Sequence, residues 1–209
     1  SAARVGRHSD ALALLSKAQS VMREMGIQRW GEGLEFEQKL QESIDAENAY
    51  QEGLEFFDDG QIDEAISKLE QAIEVSKQVP DYHSLVAASA WLGRFLIIKG
   101  EITKALTLLE ANREVLSTQG IVLEIPILGN GLSEAYLAAA ERATGKKRQA
   151  WLKKAKHSCQ DTLKAAQRYR PPLLDALLLQ GRLKWLQGKP EAAEKWWGKA
   201  LEESHLTRD

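Results

Sequence analysis

Residues 181–200 read GRLKWLQGKPEAAEKWWGKA. From Gly181, Gly188 lies at +7, Ala193 at +12, Trp197 at +16 and Ala200 at +19. Moving back along the chain, the same offsets from Gly93 give Gly100, Ala105, Leu109 and Asn112, and from Gly53 they give Gly60, Ala65, Leu69 and Ala72. Fourteen of the fifteen positions follow the order small, small, small, large, small, and Asn112 alone departs. Glycine averages about 7% of residues, so three glycine pairs at one spacing are a repeat signal rather than a product of composition. The physics of a helical hairpin explains the residue types. Small residues at the anchor, +12 and +19 let two antiparallel helices approach closely, and the large residue at +16 fills the space between them. Glycine at +7 ends the first helix in a left-handed turn.

Flanking segments carry the matching periodicity. Ile62, Ala65, Ile66, Leu69, Ala72 and Ile73 keep the three-and-four spacing of an amphipathic helix, while Asp58-Asp59-Gly60-Gln61 and Gln187-Gly188-Lys189-Pro190 supply turn chemistry. Two further units are degenerate. Gly6, Ala11, Leu15 and Ala18 fit a repeat whose first helix would precede Ser1; with no signal or transit pattern at the start, the sequence reads as a fragment of a longer chain. A second unit, anchored near Gly131–Ser133, continues through Tyr136 and Ala140 and takes an insertion around Ala143–Gln149. The pattern predicts nine helices, near 9–26, 33–58, 62–78, 82–99, 102–118, 123–142, 147–169, 172–187 and 190–204, with the second unusually long.

These residues resemble the tetratricopeptide repeat, whose small anchor, turn glycine, Ala, large apolar residue and Ala match the three sets. Phe56, Leu96 and Lys184 fall at the family's aromatic position, Lys184 being a departure. The anchors stand 40 residues apart and then twice 44, longer than the standard repeat of 34. Leu177–Arg182, Gly188 and Trp196–Leu201 also resemble the C-terminal arms of maltose-regulator-like signalling ATPases and of ATPase-linked class III nucleotidyl cyclases. The resemblance implies an all-α, right-handed α-solenoid of tetratricopeptide-like hairpins forming one superhelical domain over 1–209. It also implies a role in protein–protein interaction, as a scaffold or as the sensory and regulatory arm of a larger signalling protein.

In that family the first helix of each hairpin lines a concave groove. The corresponding positions here are Tyr50, Leu54 and Phe57, then Arg94 and Ile97, then Glu134 and Leu137 if Ser133 is the anchor, and finally Arg182 and Trp185. An apolar row beside arginines suits a peptide or helix, because aromatic and Arg side chains dominate binding hot spots. The same rows also suit intramolecular packing, since long repeats close the groove with their own helices, and the residues leave both readings open.

Composition excludes several other classes. The 209 residues are 44% hydrophobic and 28% charged, which is globular. No apolar run approaches the roughly 20 residues needed to span a bilayer. The single Cys159 forms no internal disulfide, which suits a reducing compartment and a cytoplasmic setting, and its place beside Ala155 and Leu163 suits a packed thiol. His8, His83, His157 and His205 lie in separate segments without metal-ligand spacing; Gly129-Asn130-Gly131 and Gly145-Lys146-Lys147 lack the remainder of a phosphate loop. The expectation is therefore no enzyme, no metal and no cofactor.

Charge is unevenly distributed beneath a total of −2. Glu32–Glu74 holds fourteen acids against Lys39 and Lys68, a net −12, and Arg142–Arg170 holds ten Lys and Arg against Asp161, a net +9. A solvated helix accounts for the basic segment, and the alternative is a nucleic-acid surface with Trp151 and Tyr169 for stacking. A third reading places a small-molecule effector in a closed pocket near Trp185. Uncovered repeat ends at Ala2-Ala3 and at Trp196 predict weak self-association.

Overall fold

The computed structural model describes residues 10–14, 16–17, 20–21, 31–79, 82–119, 125–168 and 172–206. Its helices are α1 (Gly31–Asp58), α2 (Ile62–Gln78), α3 (Tyr82–Ile98), α4 (Ile102–Gln119), α5 (Ile125–Glu141), α6 (Gly145–Ala166), α7 (Leu173–Leu186) and α8 (Pro190–Leu206). No strand occurs among the described residues. The half repeat expected at Gly6, Leu15 and Ala18, and the Ala2-Ala3 end, lie outside the described residues; those at 10–14, 16–17 and 20–21 are helical. The chain divides into two compact units, Ser1–Ala88 and Ser89–Asp209.

Three hairpins close in the same way, each through a glycine with positive φ: Gly60 (76°), Gly100 (86°) and Gly188 (71°). Gly60 N–H donates to Phe57 O at 2.9 Å and Gln61 N–H to Phe56 O at 2.8 Å, and the same pair of bonds recurs at Gly100–Glu101 and Gly188–Lys189. This double bond is the Schellman stop; it satisfies carbonyls that the helix end would leave unpaired and needs a residue free to enter the left-handed region.

In the first unit α1 packs along α2. Gly53 rests on Leu69, where a Cβ would come within 3.0 Å of Cγ, and Ala65 and Ala72 are fully buried beneath the contact. α1 runs for 28 residues, as the wide spacing before Gly60 predicts. The carboxylate of Glu47 is buried and accepts hydrogen bonds from Gln51 Nε2 (2.9 Å) and Ser84 Oγ (3.3 Å).

In the second unit Gly93 faces Leu109, and Gly181 faces the Trp197 ring. Ala105 and Ala193 at +12 have no exposed surface. Asn112, the departure from the pattern, is buried with its amide donating to Ser89 Oγ and Leu108 O, both at 3.0 Å; a polar pair replaces the small residue and stays satisfied.

The hairpin of α5 and α6 differs from its expected form. The insertion anticipated at 143–149 is shorter than expected: Ala143 and Thr144 stand between the helices and α6 already begins at Gly145. Its two helices meet through Ser133 Oγ and Ser158 Oγ (2.9 Å), residues 25 apart, and through Gly129 against Thr162, rather than through a pair sixteen apart. Asn130 Nδ2 donates to Pro172 O at 3.0 Å, tying α5 to the start of α7. Cys159 is buried here, and burial pushes its thiol up to about 11, which is the chemistry of a packed rather than a nucleophilic cysteine.

Candidate functional site

Among the groove residues expected from the sequence, Tyr50, Leu54 and Phe57 lie half-buried on α1 in the first unit. The second unit brings Arg94, Glu134 and Arg182 together with two carboxylates the sequence reasoning did not include, Asp175 and Glu141. Arg94 Nε meets Glu134 Oε2 at 3.0 Å, and its Nη2 meets Asp175 Oδ2 at 2.9 Å. Arg182 grips Glu141 with both Nε–Oε1 (3.0 Å) and Nη2–Oε2 (2.8 Å), and its Nη1 lies 3.9 Å from Glu134 Oε1. Helices α3, α5 and α7 are thus cross-linked by two cations and three carboxylates. Burial opposes the charge of each guanidinium. For Arg94 the carboxylates of Asp175 and Glu134 outweigh it, and for Arg182 those of Glu141 and Glu134 do, so both pKa values rise above the ordinary arginine range. Arg94 also lies over the Trp91 ring, 5.1 Å from its centroid, which fixes the guanidinium plane from the other side.

Leu137 is fully buried and is therefore a core residue rather than a groove wall. Ile97 is half-buried, while its neighbour Ile98 is exposed. On α7 the opposite holds. Trp185 is 56% exposed and Leu178, about two turns earlier, is 44% exposed. Trp185 sits 6.1 Å from Trp197, whose Nε1–H donates to Leu178 O at 3.3 Å. Trp197 packs one face on Gly181 as its offset requires but leaves 36% of itself exposed. Leu178 was missed by the sequence reasoning, although it occupies the −3 offset that selects Tyr50 on α1.

Trp196 is half-buried, with Lys199 Nζ over its ring at 4.6 Å. Trp151 is likewise occupied. It stacks on Tyr136 at 6.0 Å and 25°, and Lys154 lies over both rings. Tyr136 donates its hydroxyl to Glu110 at 2.7 Å; burial, then this bond, raises the phenol to about 12, and the same bond is the main cause that lowers the Glu110 carboxyl. Trp151 is half-buried and also lines a groove between the starts of α4 and α6, and Tyr169 lies outside the described residues.

Open grooves flank α6. One of about 520 Å³ runs between α6 and the α7–α8 turn, and another of about 440 Å³ runs between the starts of α4 and α6. Neither includes Trp185. No group of three or more His, Cys, Asp or Glu suited to a metal ion is found among the described residues, and no helix of theirs is long and apolar enough to cross a membrane.

The hairpins, their Schellman glycines and their close helix contacts define a fold of the tetratricopeptide-repeat type. No protein-family model and no curated protein sequence matches the chain. Among solved structures, the chain is similar to TTC0263, a thermophilic TPR protein of Thermus thermophilus, at 23% identity and a TM-score of 0.60 over 75% of this chain and 73% of that one. It also aligns with a Podosopora anserina kinesin-light-chain structure of nearly identical TPR-like repeats, at 16% identity and a TM-score of 0.47 over 97% of this chain and 89% of that one.

Proposed function

We propose that the chain is a non-enzymatic protein-interaction scaffold, the regulatory or sensory arm of a larger signalling protein, and that it holds an extended or helical protein segment against α7. The observation that carries this reading is the exposed pair Leu178 and Trp185 beside a half-exposed charged row. An aromatic anchor rimmed by polar groups is the usual make-up of a binding hot spot. TTC0263, similar in fold, is a TPR protein, which agrees with a scaffold. Because Arg94 and Arg182 are already committed to carboxylates, the partner is held chiefly by apolar contact, with the arginines setting the shape of the wall.

The test is a selection of short random peptides displayed on phage against the intact protein, followed by affinity measurement on Trp185→Ala and on Trp196→Ala. Loss of a hot spot is worth about 2 kcal/mol, or roughly thirtyfold in affinity. Trp185→Ala is expected to weaken selected peptides by that factor while Trp196→Ala leaves them unchanged. As Trp185 is more than half exposed, its removal should cost roughly half of the about 3–5 kcal/mol of a buried Trp, so the variant stays folded at assay temperature. Peptides that bind both variants equally well would refute this site.

A further inference from the structure

The groove between α6 and the α7–α8 turn is a second surface, independent of the Leu178–Trp185 row. Leu152 and Leu186 form its apolar floor, and Arg148, Lys153 and Lys156 stand around it with no carboxylate in its lining. Lys153 and Lys156 are exposed and pair with no carboxylate among the described residues. Arg148 is half-buried and spends one N–H on Leu186 O at 2.9 Å, which holds the guanidinium at the rim with its remaining donors free to turn outward.

The complementary surface is in the same chain. Around the α1–α2 turn, Glu55, Asp58, Asp59 and Glu64 are exposed. The ion pairs of this region go instead to Glu35, Glu52 and Glu74. Residues Glu32–Glu74 carry a net −12 and Arg142–Arg170 a net +9, so two strong and opposite fields are built into a chain whose total is only −2. Opposed patches of this size steer encounters and fix orientation.

We propose that copies of this chain associate head to tail, the acidic α1–α2 turn of one copy seated in the basic α6 groove of the next. Each copy offers one of each surface, so the contact is heterologous and propagates as an open chain or closes as a ring. A nucleic acid is the other polyanion that could meet such a groove. Trp151 disfavours it, because the ring is half-buried, stacked on Tyr136 and covered by Lys154, whereas single-stranded binding draws much of its energy from bases stacked on open aromatic rings.

Sedimentation velocity tests the proposal. In about 20 mM salt, where screening is weak, the protein should sediment faster as its concentration rises, and in about 500 mM salt it should return to monomer. Lys153→Gln with Lys156→Gln, and separately Asp58→Asn with Asp59→Asn, should each weaken self-association at least tenfold, with circular dichroism and melting temperature confirming the fold of these exposed-site variants. Mixed together, the two variants retain one intact acidic turn and one intact groove between them, so they should form a 1:1 dimer and stop there. A wild type that stays monomeric in low salt overturns the proposal. So does association that strengthens with salt, since apolar ends would then be joining the copies. A mixture that fails to dimerise, or a random 20-nucleotide RNA that binds the groove while the protein remains monomeric, overturns it as well.

Discussion

Replacing each anchor glycine by alanine grades the hairpin geometry against itself. All three anchors lie within helices, where Ala is favoured over Gly by about 1 kcal/mol, and overpacking a close contact costs about 1–3 kcal/mol. At Gly53 the new Cβ meets Leu69 Cγ at 3.0 Å and Ala65 O at 3.3 Å, a crowding that a small shift relieves, so gain and cost nearly cancel. At Gly93 it meets Leu109 Cδ1 at 2.8 Å, closer than any contact at Gly53, with Cγ and Cδ2 both at 3.1 Å, so the overlap must be relieved by moving a side chain; a net loss of about 1 kcal/mol follows. At Gly181 the Cβ would overlap Trp197 Nε1 and Cδ1 and lie 2.8 Å from Cε2, so a rigid ring must leave and surrender its bond to Leu178 O, for a net loss of about 2 kcal/mol. Gly198, also helical, has nothing within 4 Å of its would-be Cβ, and Gly198→Ala should stabilise by about 0.5–1 kcal/mol. Urea midpoints followed by far-UV circular dichroism give the ranking without assuming two-state unfolding, which stacked repeats often violate. Trp197→Leu should remove most of the Gly181→Ala penalty in a double-mutant cycle. If Gly181→Ala is as stable as Gly198→Ala, the close approach of α7 and α8, and the reasoning from offsets to packing, is refuted.

Two other outcomes follow from the second unit. Arg94→Met keeps the stem over Trp91 but leaves Asp175 without its cation and Glu134 with only the longer Arg182 contact, so thermal unfolding at low salt should report a loss of about 1–2 kcal/mol; an unchanged melting temperature would mean the row does not fasten α3 to α5 and α7. Cys159 holds its proton up to about pH 11 in the fold but releases it near 8.5 when unfolded, so stability should fall as pH rises between those values; Cys159→Ala should lack that slope in urea midpoints taken from pH 8 to 10.5, and equal slopes would count against the burial.

What could be read from the sequence was whatever the backbone itself demands. Gly60, Gly100 and Gly188 must enter the left-handed region to end their helices, and Ala65, Ala105 and Ala193 must be small for two helices to meet, so residue type and spacing reveal both. The α5–α6 hairpin hides because its contact is made by Gly129 and Ser133 against Thr162 and Ser158, polar small residues whose pairing depends on hydroxyl bonds rather than on a glycine offset. Asn112 looked like an error in the pattern for the same reason; Ser89, four residues before the anchor, satisfies it. At the candidate site the offsets select Arg94 and Arg182, which both reach Glu134, but a cation's partner is set by three-dimensional reach. Even so, a trace existed. Arg94 pairs with a residue 40 positions on, and Arg182 with one 41 positions back, each close to one repeat. Opposite charges one repeat apart on the inner row are a detectable sign of a self-satisfied groove.

Under the proposed function, that self-satisfaction changes what the groove would select. A free arginine would reward a partner carboxylate with a bidentate, charge-assisted bond. Here two arginines already face three carboxylates, so an incoming acid at Arg94 would have to displace Glu134 or Asp175 and strand it half-buried, a cost comparable to the bond gained, and at Arg182 it would have to displace the exposed Glu141. If α7 holds the partner as proposed, discrimination falls to Leu178 and Trp185, and binding there should vary little with salt because apolar burial is not screened. The groove along α6 is the reverse case, with cations left open over a small apolar floor, and anything it holds should be released as ionic strength rises. Salt dependence alone thus separates the two surfaces. A peptide whose affinity for the Trp185 face collapsed between low and high salt would mean that the arginine row opens on binding, and the role assigned to α7 would have to be rebuilt around Arg182.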